Sequence, residues 1–267
     1  IPTLDDGKTA FDYMSNLLEK GIPVVTCEKG SLSNYFPELK KWKDNIGYSA
    51  TVGGGTRMLK YLEERISHET KEIHAVVNGT LNFVLDGVSR NRSFGEVIEE
   101  AKKLGYTEPG VENPLDIINK ESTEDIPMKT SILFNIYSDI LGFGEQVKAK
   151  DIEINKIGES ELKKLIKEAN RRRYIISITK EDNDEDVIGG FKYKKGDLFI
   201  SGGFKDISEN PLFSELVPGG VNNSILICEG EYNQYGKYKL TGPGAGAGPT
   251  VSAMIKDALK LEKRNNN

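Results

Sequence analysis

Apolar residues recur at helical spacing over residues 9–20 (Thr-Ala-Phe-Asp-Tyr-Met-Ser-Asn-Leu-Leu-Glu-Lys), and the pattern stops at Gly21. That predicts an amphipathic helix closed by a glycine. Residues 22–26 form a short apolar run rich in β-branched side chains, the pattern of a strand buried in a parallel sheet. A helix, a glycine and a buried strand are half of a βαβ unit. Residues 36–45 predict a second helix, with the lone Trp42 as a packing residue. From Ile46 a strand runs into Gly53-Gly54-Gly55, and Met58, Leu59, Leu62 and Ile66 mark the next helix. Residues 73–77 read as a strand, and alternation over Glu72-Ile-His-Ala-Val-Val77 sets His74 on its polar face. Asn78 to Asn82 opens a helix with Thr80 as a candidate cap, and residues 94–104 form an amphipathic helix with Gly105 just past its end.

The most regular pattern lies further on. Ile132, Leu133, Ile136, Tyr137, Ile140 and Leu141 predict a helix reaching about Gly142. Ser122 or Thr123 is its candidate N-cap, and Pro127 suits a first turn. Beyond residue 150 the pattern is that of a scaffold. Residues 162–169 form a short helix, Arg171-Arg-Arg173 reads as a solvated basic edge, and residues 181–186 as a solvated acidic loop. Residues 174–179, 187–193, 198–201 and 224–229 read as strands of a mixed sheet, with Lys195-Gly196-Asp197 as a hairpin turn. Lys239 to Thr250 carries a glycine-rich run into a last helix over 251–260. The glycine spacing is not that of the dinucleotide fingerprint, since no βαβ crossover follows.

Composition narrows the function. The chain has 267 residues, with 36 Lys and Arg against 41 Asp and Glu, a net charge of −5. Nothing in that balance favours nucleic acid or an anionic membrane surface. Cys27 and Cys228 are far apart and His68 and His74 are not spaced as ligands, which argues against structural zinc and fits a reducing compartment. No apolar run is long enough to span a bilayer. A cytoplasmic protein is the expectation. The first residues, Ile-Pro-Thr-Leu-Asp-Asp-Gly, read like the interior of a domain, which predicts residues upstream.

The candidate chemistry centres on Gly105 to Lys129, which holds carboxylates at Glu108 and Asp116 and an Asp125/Lys129 pair one helical turn apart. By spacing alone that pair reads as a solvated ion pair. Lys29 follows the first strand, at the edge where a doubly wound sheet presents its ligands, and by itself reads as a solvated loop charge. Three glycines before a helix could cradle an anion or simply make a tight turn.

Taken together these segments resemble homoserine dehydrogenases. Gly105-Tyr106-Thr-Glu108, Asp116-Ile117 and Asp125-x-x-x-Lys129 are similar to the family's signature region, with extra residues near 119–124. Thr26-x-Glu28-Lys29 resembles its Thr-x-Asn-Lys strand end, with Glu28 where Asn is usual. Ser49-Ala-Thr-Val-Gly-Gly-Gly55 resembles its Glu-Ala-Ser/Thr-Val-Gly-x-Gly element, with Ser49 where Glu is usual. Asn78-Gly79-Thr80-x-Asn82 and Gly244-Ala245-Gly246-Ala-Gly-Pro-Thr250 are two further matches.

The resemblance implies reversible hydride transfer between NAD or NADP and aspartate 4-semialdehyde, giving homoserine. It implies Lys129, Asp125 and Lys29 in catalysis, and Glu108, Asp116, Gly79, Thr80 and Tyr106 at the substrate. Thr26, Lys29, Gly244, Ala245, Gly246 and Thr250 would meet the cofactor. Carbonyls of Val52, Gly54 and Thr56 would hold Na⁺ or K⁺, a site put in question by Ser49. Pairing with Asp125 raises a lysine pKa, which suits a general acid.

The fold expected is α/β. It comprises a partial Rossmann-type nucleotide domain over residues 1–45, an inserted α+β substrate and dimerisation domain over 46–239, and a return to the nucleotide domain over 240–267. A homodimer follows by resemblance. A cofactor-less binding module and a dehydrogenase for another small amino acid remain open.

Overall fold

In the computed structural model of the chain, residues 5–107, 110–182 and 186–265 are described. Glu108, the middle of the acidic loop and the last two residues of the tail lie outside them.

Two sheets organise the chain. β1 (Val24–Val25) pairs in parallel with β2 (Ile46–Gly47). α1 (Lys8–Glu19) precedes β1 and buries Ala10, Met14 and Leu18, and Gly21 follows it at φ +73°. Between the two strands lie α2 (Gly30–Asn34), which the apolar pattern did not show, then α3 (Phe36–Leu39) and a 3-10 stretch over Lys40–Asn45 in place of one continuous helix. α11 (Ala247–Asn265) comes back from the far end of the chain onto this pair. A Cβ on Gly47 would fall 2.7 Å from the Asp257 Cβ, so glycine is what lets the last helix lie so close.

The second sheet has six strands in the order β5-β6-β4-β3-β7-β8. They are β3 (Thr70–Val76), β4 (Arg172–Thr179), β5 (Val187–Lys195), β6 (Leu198–Asp206), β7 (Asn222–Glu229) and β8 (Gly236–Pro243). Every pairing is antiparallel, so the parallel component expected of a mixed sheet is confined to β1 and β2. Strand alternation gives the sheet two apolar faces. Ile73, Ala75, Ile176, Ile178, Ile225 and Ile227 join the main core with α4 (Met58–Arg65), α5 (Gly79–Ser89), α6 (Phe94–Lys103) and α8 (Ile126–Leu141). Val76, Ile175, Leu226 and Cys228 meet Phe213 and Leu216 of α10 (Pro211–Leu216) on the other face.

That covered second face corrects two expectations. His74 does sit among polar neighbours, but it is wholly buried, because α10 lies over them and Phe213 packs edge-on to its ring. Its Nδ1 lies 2.8 Å from the Ser177 Oγ and its Nε2 2.9 Å from the Glu72 carboxylate. The Lys205 Nζ donates to Ser177 and Ser201, 2.9 Å each. The Arg171–Arg173 run is not a solvated edge either. Arg172 and Arg173 start β4 and are buried, Arg172 held by Glu168, Asp186 and the Phe204 carbonyl, and Arg173 by the Ala169 carbonyl. A buried guanidinium needs such partners, and a basic run read in one dimension does not reveal them.

The long helical stretch also differs. It begins at Asn113, whose side chain caps Leu115, and runs through α7 (Pro114–Lys120), a π turn over Glu121–Asp125 and α8 without a break. Ser122 and Thr123 are not caps; their hydroxyls donate back to the Asn119 carbonyl, 3.0 and 2.9 Å away. The widened turn lies just ahead of Pro127, whose missing N–H and ring bulk disfavour a tight α turn there. Gly142, at φ +70°, closes α8.

Candidate active site

The site forms where β3 ends. The next residue, Val77, is buried, and its carbonyl accepts from the Lys129 Nζ and the Asn223 Nδ2, 2.8 Å each. Asn78 then turns the chain into α5. Its Oδ1 accepts from the Leu81 N–H at 2.8 Å, so Asn78 is the cap and Thr80 is not. The Asn78 Nδ2 donates to Glu121 Oε2 at 2.6 Å and to Asp125 Oδ2 at 2.9 Å. Asp125 in turn meets the Lys129 Nζ at 2.6 Å and the Lys29 Nζ at 3.3 Å. Lys29 arrives from the loop after β1, ninety-six residues away in sequence.

Glu28 explains how Lys29 is held. Its buried carboxylate accepts from the Gly30 and Ser31 N–H groups, 2.5 and 2.9 Å, and from the Ser31 hydroxyl at 2.6 Å. It therefore satisfies the first free N–H groups of α2 and anchors the backbone that carries Lys29. Thr26 belongs to the same turn: its N–H donates to the Gly47 carbonyl and its hydroxyl accepts from the Glu28 N–H.

Burial would push the Asp125 carboxyl up, but the charges of Lys129 and Lys29, with the hydrogen bonds from Lys129 and Asn78, outweigh it and hold Asp125 down at about 2. Asp125 is therefore a carboxylate at any physiological pH. Among the described residues, two of the three Lys129 N–H donors are taken, by Asp125 and the Val77 carbonyl, leaving one for a bound molecule.

The other expected residues divide. Gly79 and Thr80 start α5 beside the pair. A Cβ on Gly79 would fall 2.5 Å from the Val221 carbonyl, and the Thr80 hydroxyl donates to the Tyr106 carbonyl at 2.5 Å. Tyr106 packs edge-on to Phe83, so the loop leading to Glu108 is tied to the start of α5; Glu108 itself lies outside the described residues. Asp116 is not brought to the lysines. It is exposed in the first turn of α7 and lines a separate cavity of about 390 Å³ with Glu112, Lys120, Glu124 and Lys156.

Three functional candidates escaped sequence reasoning. Asn78 bridges the carboxylates of Glu121 and Asp125, and Asn223 shares the Val77 carbonyl with Lys129. For Glu121 a signal existed: Glu121, Asp125 and Lys129 are spaced by four residues, on one side of a helical path.

Gly244, Ala245 and Gly246 link β8 to α11. A Cβ on Gly244 would fall 2.2 Å from the Asn223 Oδ1, a buried oxygen with no hydrogen-bond partner among the described residues. Gly54 comes close to the same loop, its Cβ position 3.1 Å from the Gly244 carbonyl. The Thr250 hydroxyl donates to the Gly246 carbonyl at 2.9 Å. Val52 is buried, Gly54 has φ +51°, and Thr56 donates from its N–H to Gly53 and from its hydroxyl to the Pro243 carbonyl. The carboxylate that Ser49 lacks is met from elsewhere: the Ser49 N–H and hydroxyl donate to Asp257 of α11, 2.8 and 2.6 Å.

A parallel strand pair closed by α11, joined to an antiparallel sheet, with a lysine–carboxylate cluster where β3 ends, makes an α/β chain with a candidate active site at the junction. The sequence model of the homoserine dehydrogenase family matches residues 58–259, well over half of the chain, and the chain belongs to that family. It is 29% identical over 256 residues to the homoserine dehydrogenase of Pyrococcus horikoshii, covering 94% of this chain and 67% of that protein. It is 26% identical over 287 residues to that of Saccharomyces cerevisiae, covering 98% and 75%. Against the Synechocystis homoserine dehydrogenase it covers 51% of the relative, so it spans about half the length of some family members. The fold is similar to a putative homoserine dehydrogenase from Archaeoglobus fulgidus, with a TM-score of 0.66, 22% identity, and 97% and 72% of the two chains covered. It is also similar to a hyperthermophilic archaeal homoserine dehydrogenase in complex with NADPH, with a TM-score of 0.62, 26% identity, and 96% and 69% covered.

Proposed function

We propose that this chain carries the substrate-binding and proton-transferring machinery of an NAD(P)-dependent homoserine dehydrogenase. The observation that supports this most is the Lys129–Asp125–Lys29 cluster, assembled from two distant segments where β3 ends. Reduction of aspartate 4-semialdehyde leaves an alkoxide that needs a proton, and the remaining N–H of Lys129 is placed to donate it. Asp125 and the Val77 carbonyl hold and aim the Lys129 nitrogen, and the Asn78 amide fixes Asp125 in turn. In the oxidising direction the same nitrogen, as the neutral amine, takes the hydroxyl proton. Gly79 and Thr80 at the start of α5 offer backbone N–H groups to the substrate carboxylate.

Thr26, Lys29, Gly244, Ala245, Gly246 and Thr250 would face the nicotinamide end of NAD or NADP, which when bound supplies or accepts the hydride. The buried Asn223 oxygen beside Gly244 has no hydrogen-bond partner among the described residues, which suits a polar edge of the cofactor. The reading divides the chain at 1–45, 46–239 and 240–267. It also takes in the cytoplasmic homodimer that the resemblance implies. A Na⁺ or K⁺ on Val52, Gly54 and Thr56 is not required by this reading, because Ser49 brings no carboxylate there and Asp257 is already engaged by Ser49.

The test is Lys129→Ala in the protein that carries this chain. Turnover of homoserine should fall by roughly a hundred- to ten-thousand-fold while cofactor binding and circular dichroism hold. Turnover within reach of wild type would remove Lys129 from the proton path.

A further inference from the structure

We infer that Asn223 is the positioning residue for Lys129, acting through the Val77 carbonyl, and that the glycine-rich loop before α11 keeps Asn223 in place. This deepens the role given to Lys129 above and rests on it. The strand register brings the pieces together. Val76 of β3 pairs with Ser224 of β7, so the next residues, Val77 and Asn223, lie side by side. The Lys129 Nζ and the Asn223 Nδ2 then both donate to the Val77 carbonyl, 2.8 Å each. A carbonyl oxygen offers two lone pairs, and here both are taken.

That arrangement matters because a lysine does not position itself. Its four-carbon stem is flexible, so the nitrogen stays where its partners hold it. Asp125 is one anchor, at 2.6 Å. The carbonyl is the other, and with Asn223 on its second lone pair it leaves the nitrogen a single place to bind. Without the amide, the nitrogen would swing between two lone pairs, and its remaining N–H would lose its aim. Asn223 is fully buried, and its Oδ1 has no hydrogen-bond partner among the described residues. A buried amide with one end unpaired is kept at a cost, which fits a steering role better than a purely structural one. Packing holds that end instead: Cβ atoms on Gly79 and Gly244 would fall 3.5 and 2.2 Å from the oxygen. Gly244 is tied down in turn by its N–H, which donates to the Val221 carbonyl at 3.3 Å. The loop assigned to the cofactor therefore backs the side chain that steers Lys129, and only glycine at 244 leaves room for it.

The experiment measures homoserine oxidation by the full-length protein at saturating cofactor. Asn223→Ala should lower kcat about ten- to a hundredfold, the scale of a misplaced catalytic group, while KM for homoserine holds. Asn223→Ser, whose hydroxyl stops short of the Val77 carbonyl, should do the same and serves if the alanine variant does not fold. Gly244→Ala drives a methyl group into the Asn223 oxygen and should lower kcat as well. With both alanine substitutions together the clash is gone, so the loss should not exceed that of Asn223→Ala alone. Wild-type kcat in the folded Asn223 variants, a rise in KM with kcat unchanged, or losses that multiply in the double variant overturn the inference. The Lys129 ammonium signal in ¹⁵N-lysine-labelled protein, assigned with Lys129→Arg, reports the positioning without turnover. Its protons should exchange with water faster in Asn223→Ala than in wild type, and equal exchange overturns the inference too. A wild-type protein that does not oxidise homoserine would refute the activity, and the exchange comparison would then decide on Asn223 by itself.

Discussion

Two lysine charges converge on Asp125, and Asp125→Asn tests what they contribute. The carboxyl titrates at about 2 in place of its ordinary 3.8, because the lysine charges outweigh the push of burial. At 1.36 kcal/mol per pH decade, that difference is worth about 2 kcal/mol of folding stability. The sign follows from a depressed folded-state value. The unfolded chain binds the proton first, so the contribution is complete above pH 5 and disappears as pH falls through 4 towards 2. About half should be gone by pH 3. The Asn variant has no such titration. Urea denaturation of both proteins at steps between pH 6 and pH 3, analysed by linear extrapolation, should show the wild-type advantage narrowing by about 1 kcal/mol over that range. A gap that stays constant would mean that Lys29 and Lys129 do not act on Asp125 as the distances require. A gap that widens on acidification would reverse the sign and refute the reasoning outright.

Two glycines give opposite expectations in the same assay. Gly79→Ala should destabilise by about 1–3 kcal/mol, because its Cβ position lies 2.5 Å from a backbone carbonyl, whereas Gly95→Ala, in open space on α6, should be neutral or stabilise by up to about 1 kcal/mol. Equal effects would refute the close packing of α5 on the Val221 segment. Replacing Na⁺ and K⁺ by a bulky organic cation should leave turnover essentially unchanged, since Ser49 brings no charge of its own to the Val52–Thr56 turn. A strict requirement for either ion would show that the carbonyls there suffice to hold one.

How much of this could be read from the chain alone varies with the distance over which residues act. The Asp125/Lys129 pair is a local spacing and was legible. So were the closing glycines Gly21, Gly105 and Gly142, each observed with positive φ. The strand over 224–229 was legible because apolar alternation records it directly. The π turn was not, because Ser122 and Thr123 just before an apolar run look the same whether they begin a helix or bond back to Asn119 within one. Arg172 and His74 were misplaced for a related reason. A polar side chain is buried when an element distant in sequence covers it, as β6 with the Phe204 carbonyl does for Arg172, beside its local partner Glu168, and α10 does for His74. Lys29 was singled out by its strand-end position and the family resemblance, but its contact with Asp125 spans two elements that only the fold brings together. Asn223, supporting the same carbonyl as Lys129 from β7, left no local mark at all.

The return of α11 onto β1 and β2 has a kinetic consequence. Ser49 forms its two hydrogen bonds with Asp257, more than two hundred residues later, so this corner cannot close until that long stretch of chain has been made. The antiparallel sheet has all its strands by Pro243 and can settle first, leaving the early parallel pair half-covered until α11 arrives. For that interval β1 and β2 expose backbone edges and apolar surface of the kind that invites misassociation. A defect in α11 would accordingly lower the yield of folded protein, even where the substitution lies far from Lys129.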